Sequence, residues 1–285
     1  MSVVGLGLAP VHIAQPDAQR VRFREFVELF CARFKDRGML DGVDCRPSHR
    51  DYVFRYFAQT FTNATGINGR HWRWFARLAP ILALPRGARV LDYGGGYGMD
   101  SVFLASCGYA VTLFEVSPHH LAIARRFGEE MAKIAGRFQL DFVQGTPATD
   151  EPPAVPPQDA LLLDEVAHHI EPPGRLFARC ARILRPHGSL FLLEPNFWSP
   201  LVQAYFLRVR GLKTTVAMTD EITGEPYLYG NEHIRPRTKW IAHAKSAGLF
   251  LRETRFIGPT GRILDSIPVL REVAASHLTM RFEKT

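Results

Sequence analysis

The 285-residue chain reads as an α/β protein, a doubly wound and mostly parallel sheet preceded by a helical N-terminal segment. Three observations predict this. From Ala88 onward, short apolar runs of the kind buried on both faces of a parallel sheet alternate with amphipathic stretches of helical spacing. Residues 1–85 carry helical spacing and no competing strand pattern. The composition, 46% hydrophobic and 22% charged, is that of an ordinary globular chain and excludes disordered, collagen-like and coiled-coil classes.

In chain order, Phe23, Phe26, Val27 and Phe30, then Tyr52, Tyr56 and Thr60, mark N-terminal helices. Strands are expected at 89–93, 110–114, 138–143, 160–163 and 190–193, followed by 249–256 and a last strand with Leu278, Met280 and Phe282 alternating, seven in all. A helix starts near Asp100. Ser117-Pro118 supplies an N-cap and a first-turn proline to a helix whose buried face is Ile123, Phe127, Met131 and Ile134. Leu176, Phe177, Cys180, Ile183 and Leu184 form the next buried face, stopped by Pro186 and Gly188. Residues 196–235, rich in aromatics, Gly and Pro, interrupt the alternation as an insertion, and a helix over 238–247 resumes it. The resulting organisation is an N-terminal helical cap or lid over 1–85 and a core over 86–285. EPPAVPP at 151–157 is a loop between core strands, and no internal repeat is present.

The net charge of +7 and pI near 9.4 invite a nucleic-acid or membrane reading, but its distribution argues otherwise. Residues 1–88 hold 13 Lys/Arg against 7 Asp/Glu, whereas 89–285 hold 22 against 21, and no block of five like charges occurs. Cys31, Cys45, Cys107 and Cys180 are too dispersed for a C-x-x-C pair and read as reduced thiols. No run of about 18 apolar residues and no basic n-region appear, so a soluble, cytoplasmic chain is expected. Gly and Arg usage fits a GC-rich bacterial genome.

The most informative segment is RVLDYGGGYGMDSVFLASCGYAVTLFEVSP, residues 89–118. A strand ends in Asp92, Gly94, Gly96 and Gly98 occupy alternate positions, and Glu115 and Val116 end the next strand. Glycine permits a tight turn and close approach of backbone to a ligand. An acid at the second strand end can accept hydrogen bonds from ribose hydroxyls. A nicotinamide dinucleotide site is the competing reading, but its third glycine position is Met99. The combination of strand-end Asp, G-x-G-x-G and second-strand acid resembles the class I S-adenosylmethionine-dependent methyltransferases. QLDFVQGTPA at 139–148 looks like that family's third-strand segment, with Gly145-Thr146 where an acid often contacts adenine. DALLLDEVAHHIEPP at 159–173 is similar to its fourth strand and following loop. ILRPHGSLFLLEPN at 183–196 resembles its "L-x-P-G-G" turn and fifth strand, with His187 in place of the first glycine.

The resemblance, carried by residues 88–196, implies a Rossmann-like sheet with the last strand antiparallel, S-adenosylmethionine as cofactor, and methyl transfer to a small metabolite at oxygen or nitrogen. It implies that Gly94, Gly96, Gly98 and Asp92 lie by the methionine part of the cofactor, Glu115 and Val116 by the ribose, and Gly145 and Thr146 by the adenine. Asp164, a candidate catalytic residue, and Glu165 stand toward its amino group or a cationic acceptor, their plainer role being solvated loop acids. His169 and His168 stand where a base would serve a hydroxyl acceptor; the plainer role is loop packing. Some relatives hold a metal with E-x-x-E-H, but the second Glu is His168 in this chain, so no metal is expected. Asn196 is expected on the acceptor side, its plainer role being a turn residue; Tyr227, Tyr229, His233 and Arg235 suit an acceptor pocket formed in part by the 196–235 insertion or, equally, a surface around a buried Tyr pair; and Tyr56 is an acceptor-side residue or part of a helical core stripe. Arg55, Phe61 and Asn63 would join Tyr56 in a lid. A thioether or thiol acceptor, an RNA substrate and a non-catalytic cofactor-binding role are the alternatives, and the oligomeric state is left open, a homodimer included.

Overall fold

The computed structural model describes residues 17–34, 37–57, 69–133, 138–146, 155–220, 223–258 and 267–285. Thr60, Phe61, Asn63, Ile134 and the side chains of Cys31, Arg55 and Tyr56 lie outside the described residues. The chain begins with helices α1 (Asp17–Phe34), α2 (Pro47–Phe57) and α3 (Gly69–Leu78). Strands and helices then alternate as β1 (Arg89–Tyr93), α4 (Met99–Ser106), β2 (Ala110–Glu115), α5 (Pro118–Ala132), β3 (Gln139–Gln144), β4 (Gln158–Asp164), α6 (Pro173–Ile183) and β5 (Leu184–Pro195). The segment after β5 folds as α7 (Pro200–Arg210) and a hairpin of β6 (Thr215–Thr219) and β7 (Pro226–Gly230). The chain closes with α8 (Arg237–Ser246), β8 (Leu249–Ile257), α9 (Pro268–Ala274) and β9 (His277–Lys284).

Seven strands form one sheet in the order β3-β2-β1-β4-β5-β9-β8. The first five are parallel, and β9 lies antiparallel between β5 and β8. The chain winds outward from β1 to β3, then crosses back to β4 beside β1, so a crevice opens outside the carboxyl ends of β1 and β4 where the winding reverses. The two-residue period of each strand divides the core between the faces. On β4, Ala160 and Leu162 join one buried cluster while Leu161 and Leu163 join the other, and Phe191 with Leu193 oppose Leu190 with Leu192 on β5.

The first of these faces explains the aromatic N-terminal spacing. Phe23, Phe26 and Phe30 of α1 are buried, and Phe103 of α4 lies 5.2 Å from Phe23 and 5.1 Å from Phe26 between ring centroids. The N-terminal helices therefore share a core with the sheet. Ser117 caps α5 as its sequence implies, accepting from the His120 amide. Helix α6 ends at Ile183, ahead of Pro186, and His187 takes the left-handed conformation (φ 62°) of the glycine it replaces. Among the described residues, no helix is long and apolar enough to cross a membrane.

Replacing Phe103 with Ala is expected to cost about 3–5 kcal/mol, because three aromatic neighbours lose their partner at a fully buried position. Urea unfolding checks this, and a loss below about 1 kcal/mol would mean that the N-terminal helices do not share the sheet's core.

Candidate active site

The carboxyl ends of β1, β2 and β4 surround a cavity of about 400 Å³. Its inner wall is the turn after β1. Gly94 has φ 76° and so close a neighbour in Val166 that a Cβ would stand 2.6 Å from it; only glycine fits both constraints. Gly96 also has positive φ (53°), yet a Cβ there would meet nothing within 4 Å, since it faces open cavity.

Glu115 holds this turn. One carboxylate oxygen accepts from the Gly96 amide at 2.8 Å, and the other accepts from the amides of Val116 at 2.8 Å and Ser117 at 2.9 Å. The side chain is buried, and burial pushes its carboxyl above the usual range against the pull of the three N–H donors. Phe114 carries the rest of the turn on its carbonyl, which accepts from Gly94 and Gly95. Its ring packs so close to Gly145 that a Cβ there would be 2.3 Å away.

Asp92 and Gly98 lie behind the cavity wall. Asp92 accepts from the Ser101 hydroxyl at 2.6 Å, tying the first turn of α4 to the end of β1. Burial, with the Asp100 charge adding to it, pushes the Asp92 carboxyl up to about 8. A Cβ on Gly98 would stand 2.8 Å from the Ala124 side chain, so this glycine serves helix packing.

On the β4 side, Asp164 and Glu165 line the cavity, and both are paired to Arg77 of α3. Glu165, at φ 55°, also meets His277 at 2.8 Å. Burial opposes its ionisation, but Arg77 and His277 outweigh it and hold the carboxyl below the usual range. Thus the two acids expected to contact the cofactor or a cationic acceptor, or to be solvated loop acids, are both held by the N-terminal helices, and Glu165 by the last strand as well.

The two histidines part company. His169 lines the cavity, stacks on Tyr229 with centroids 5.0 Å apart, and places Nδ1 2.9 Å from the Gly230 carbonyl. Burial, then the neighbouring His168 charge, lowers its pKa. His168 does not line the cavity. It is 2% exposed, with Nδ1 2.7 Å from Glu194 and Nε2 3.2 Å from Glu232. Burial disfavours its protonation, but the two carboxylates outweigh this and push its pKa up to about 10. Buried away from the cavity with both ring nitrogens engaged by carboxylates, His168 does not reach an acceptor, which corrects the expectation of His168 as a base.

The insertion contributes Tyr227, Leu228 and Tyr229 to the cavity. His233 and Arg235 lie behind it, both engaged with the Glu171 carboxylate, which itself faces the cavity. Asn196 is 1% exposed and fully used as a turn anchor: its amide donates to the Glu272 and Ala275 carbonyls and its oxygen accepts from Trp198 N–H. Neither Asn196 nor His233 and Arg235 therefore face an acceptor. The structure adds Tyr93, His120, Ile170 and Arg179 to the cavity wall. Arg179 donates to the Tyr93 hydroxyl, and burial with His49 and His119 nearby lowers His120 to about 4. Of these only Tyr93 and His120, next to the glycine turn and the α5 cap, carried a positional signal.

A raised folded-state pKa at Asp92 means that its stabilising contribution is complete below the unfolded value near 4 and is lost as pH rises through about 8. Asp92→Asn, which cannot ionise, should therefore gain stability relative to the parent protein between pH 5 and pH 8 by urea unfolding. An unchanged difference between the two pH values would show that the carboxyl is ionised throughout.

A family model described as a methyltransferase domain matches residues 65–241. The chain is 32% identical over 169 residues to a "Ubiquinone biosynthesis O-methyltransferase" of Xylella fastidiosa (strain 9a5c), covering 59% of this chain and 63% of that protein. It is 34% identical over 119 residues to the protein of the same name from Xanthomonas campestris pv. campestris (strain B100), covering 42% and 47%. The chain thus matches less than two thirds of the length of these relatives. Similar solved structures include a TehB-like SAM-dependent methyltransferase from Corynebacterium glutamicum ATCC 13032, with TM-score 0.53 and 17% identity over 84% of this chain and 100% of that one. Another is an S-adenosylmethionine dependent methyltransferase from Mesorhizobium loti, with TM-score 0.50 and 17% identity over 74% and 100%. These structural likenesses are of fold. Together with a family match over more than half its length and a glycine turn held by a second-strand acid, they show that the chain belongs to the methyltransferase-domain family of S-adenosylmethionine-dependent enzymes.

Proposed function

We propose that the chain methylates a hydroxyl oxygen of a small molecule, with S-adenosylmethionine as donor. The observation that carries this reading is the placement of His169 on the cavity wall with Nδ1 on the Gly230 carbonyl. Because the Gly230 carbonyl can only accept, Nδ1 carries the ring proton and Nε2 holds the lone pair. A depressed pKa keeps the ring neutral at working pH. The curated relatives, named as O-methyltransferases, support oxygen as the nucleophile.

The residues present fit the cofactor. Gly96 opens onto space that a Cβ would fill, and Glu115 next to it is a buried acid on the same wall. Glu115 is assigned to the ribose, Gly94 and Gly96 to the methionine part, and Thr146 to the adenine side. When bound, S-adenosylmethionine supplies a methyl carbon on a cationic sulfur that departs as a neutral thioether. The protein's task is to position the acceptor and remove its proton. Holding the two reactants in line removes much of the entropic barrier. His169 Nε2 takes the hydroxyl proton. Tyr227 and Tyr229, with Leu228, supply the flat apolar wall against which a small acceptor lies. Helices α1–α3 act as a cap that reaches the site through Arg77, and the 196–235 insertion forms the acceptor wall.

A labelled-methyl assay across phenols, carboxylates, amines, thioethers and RNA tests the assignment. Transfer to hydroxyl acceptors is expected; transfer confined to amines, thioethers or RNA overturns it. His169→Ala should lower kcat by about 100-fold or more with cofactor binding intact, since a positioned base contributes at least that much. An unchanged kcat points instead to a thioether acceptor, which needs no base. Glu115→Ala should weaken S-adenosylmethionine binding by about 10–100-fold in calorimetry, the loss of hydrogen bonds to a charged group.

A further inference from the structure

We propose that His168, His169 and Glu232 form a binding site for one divalent transition-metal ion of the zinc class beside the acceptor end of the cavity. Their donor atoms all lie within 4.8 Å of one another. The Nε2 atom of His168 is 3.2 Å from one Glu232 oxygen, and Nε2 of His169 is 4.0 Å from the other. Two donors bound tetrahedrally to one zinc-sized ion stand about 3.4 Å apart, so small side-chain rotations convert this cluster into a coordination shell.

The arrangement behind the donors favours the same conclusion. Metal-binding imidazoles are usually oriented by a hydrogen bond from the other ring nitrogen to a carboxylate or a carbonyl. In this protein His168 Nδ1 meets the fully buried Glu194, and His169 Nδ1 meets the Gly230 carbonyl, so both Nε2 atoms are left for Glu232. Glu194 is fixed in turn by the Ala167 amide at 2.9 Å.

The third donor is brought in by backbone. The His233 amide donates to the His168 carbonyl, and Gly230 packs so tightly on that carbonyl that a Cβ would stand 2.3 Å from its oxygen. Glu232 itself is held at φ 52°, in the left-handed region that a non-glycine residue seldom occupies. Such strain at a residue aimed at two histidines is typical of a functional site.

Charge and donor type identify the ligand. Glu194 and Glu232 converge on one imidazole, which leaves the group one negative charge in excess even when His168 is protonated. A dication with both rings neutral balances the two carboxylates. Two imidazoles and one carboxylate suit zinc, iron, cobalt or nickel and disfavour magnesium and calcium, which take oxygen ligands. The expectation of no metal rested on the missing second Glu of E-x-x-E-H; the third ligand instead comes from the end of the insertion hairpin. The two roles of His169 Nε2 are alternatives: it is the base in the metal-free protein, whereas with an ion bound it would be a ligand and the ion would supply the Lewis acid that lowers the pKa of an acceptor hydroxyl. That role rests on the O-methylation reading, whereas the site does not.

The test is titration of chelator-dialysed protein with Co²⁺, followed by visible absorption and calorimetry. One equivalent is expected to bind with the d–d absorption of a nitrogen- and oxygen-ligated ion. Glu232→Gln, at a partly exposed position where folding is retained, should weaken binding at least tenfold, as should His169→Gln. Absence of stoichiometric binding, or equal binding by Glu232→Gln, overturns the site and identifies the cluster as a protonated His168 between two carboxylates. S-adenosylmethionine binding that persists without cobalt binding overturns the metal site alone. Stoichiometric cobalt with no transfer to hydroxyl acceptors supports the site and overturns the O-methylation reading.

Discussion

The buried carboxylate of Glu115 is the constraint around which the carboxyl ends of β1, β2 and β3 are arranged. A charge removed from water must be met by donors, and all three come from backbone amides of two different loops. Once Gly96, Val116 and Ser117 are drawn to one side chain, the turn after β1 and the start of α5 have no freedom relative to β2. The neighbouring carbonyls extend the arrangement, since Phe114 accepts from Gly94 and Gly95 and Glu115 accepts from Gly145. The ends of β1, β2 and β3 are thus tied to two consecutive residues. The positive φ at Gly94 and Gly96 is the backbone cost of turning the Gly94 amide to the Phe114 carbonyl and the Gly96 amide to the Glu115 carboxylate.

The opposite wall is arranged by charge pairs between distant parts of the chain. Arg77 comes from the N-terminal helices and His277 from the last strand, and both meet the acids that end β4. Deeper in, Glu194 on β5 and Glu232 beyond the insertion hairpin close on the histidine pair. Glu171, His233 and Arg235 form a second such group beside the cavity. Each pairing satisfies a buried or half-buried charge and at the same time fixes a loop, which is why this wall is built from polar contacts while the layers behind it are aromatic and aliphatic.

Much of this was legible before the structure. The strands of the sheet were visible because a fully buried strand must be apolar at successive positions and its neighbours must be helical. The glycine turn and Glu115 were visible because a short-range geometric demand leaves a short-range pattern. Asn196, His233 and Arg235 were drawn to the acceptor by residue type and by position after β5. They are instead engaged by backbone carbonyls and by Glu171, and residue type cannot distinguish a side chain facing a cavity from one satisfied behind it. Arg77 and Arg179 left no signal at all, since one arginine in a helix looks the same whether it faces solvent or an acid across the fold.

By itself, then, the sequence determined the doubly wound sheet, the carboxyl-edge location of the glycine turn and the acid at the second strand end, because each is imposed by neighbours within about thirty residues. The tertiary structure alone decided which histidine faces the cavity, what holds Asp164 and Glu165, and that Glu232 joins His168 and His169. Those outcomes depend on which charges meet when far segments pack together, and the energetic demand that buried charges be paired becomes specific only once the fold has chosen the partners.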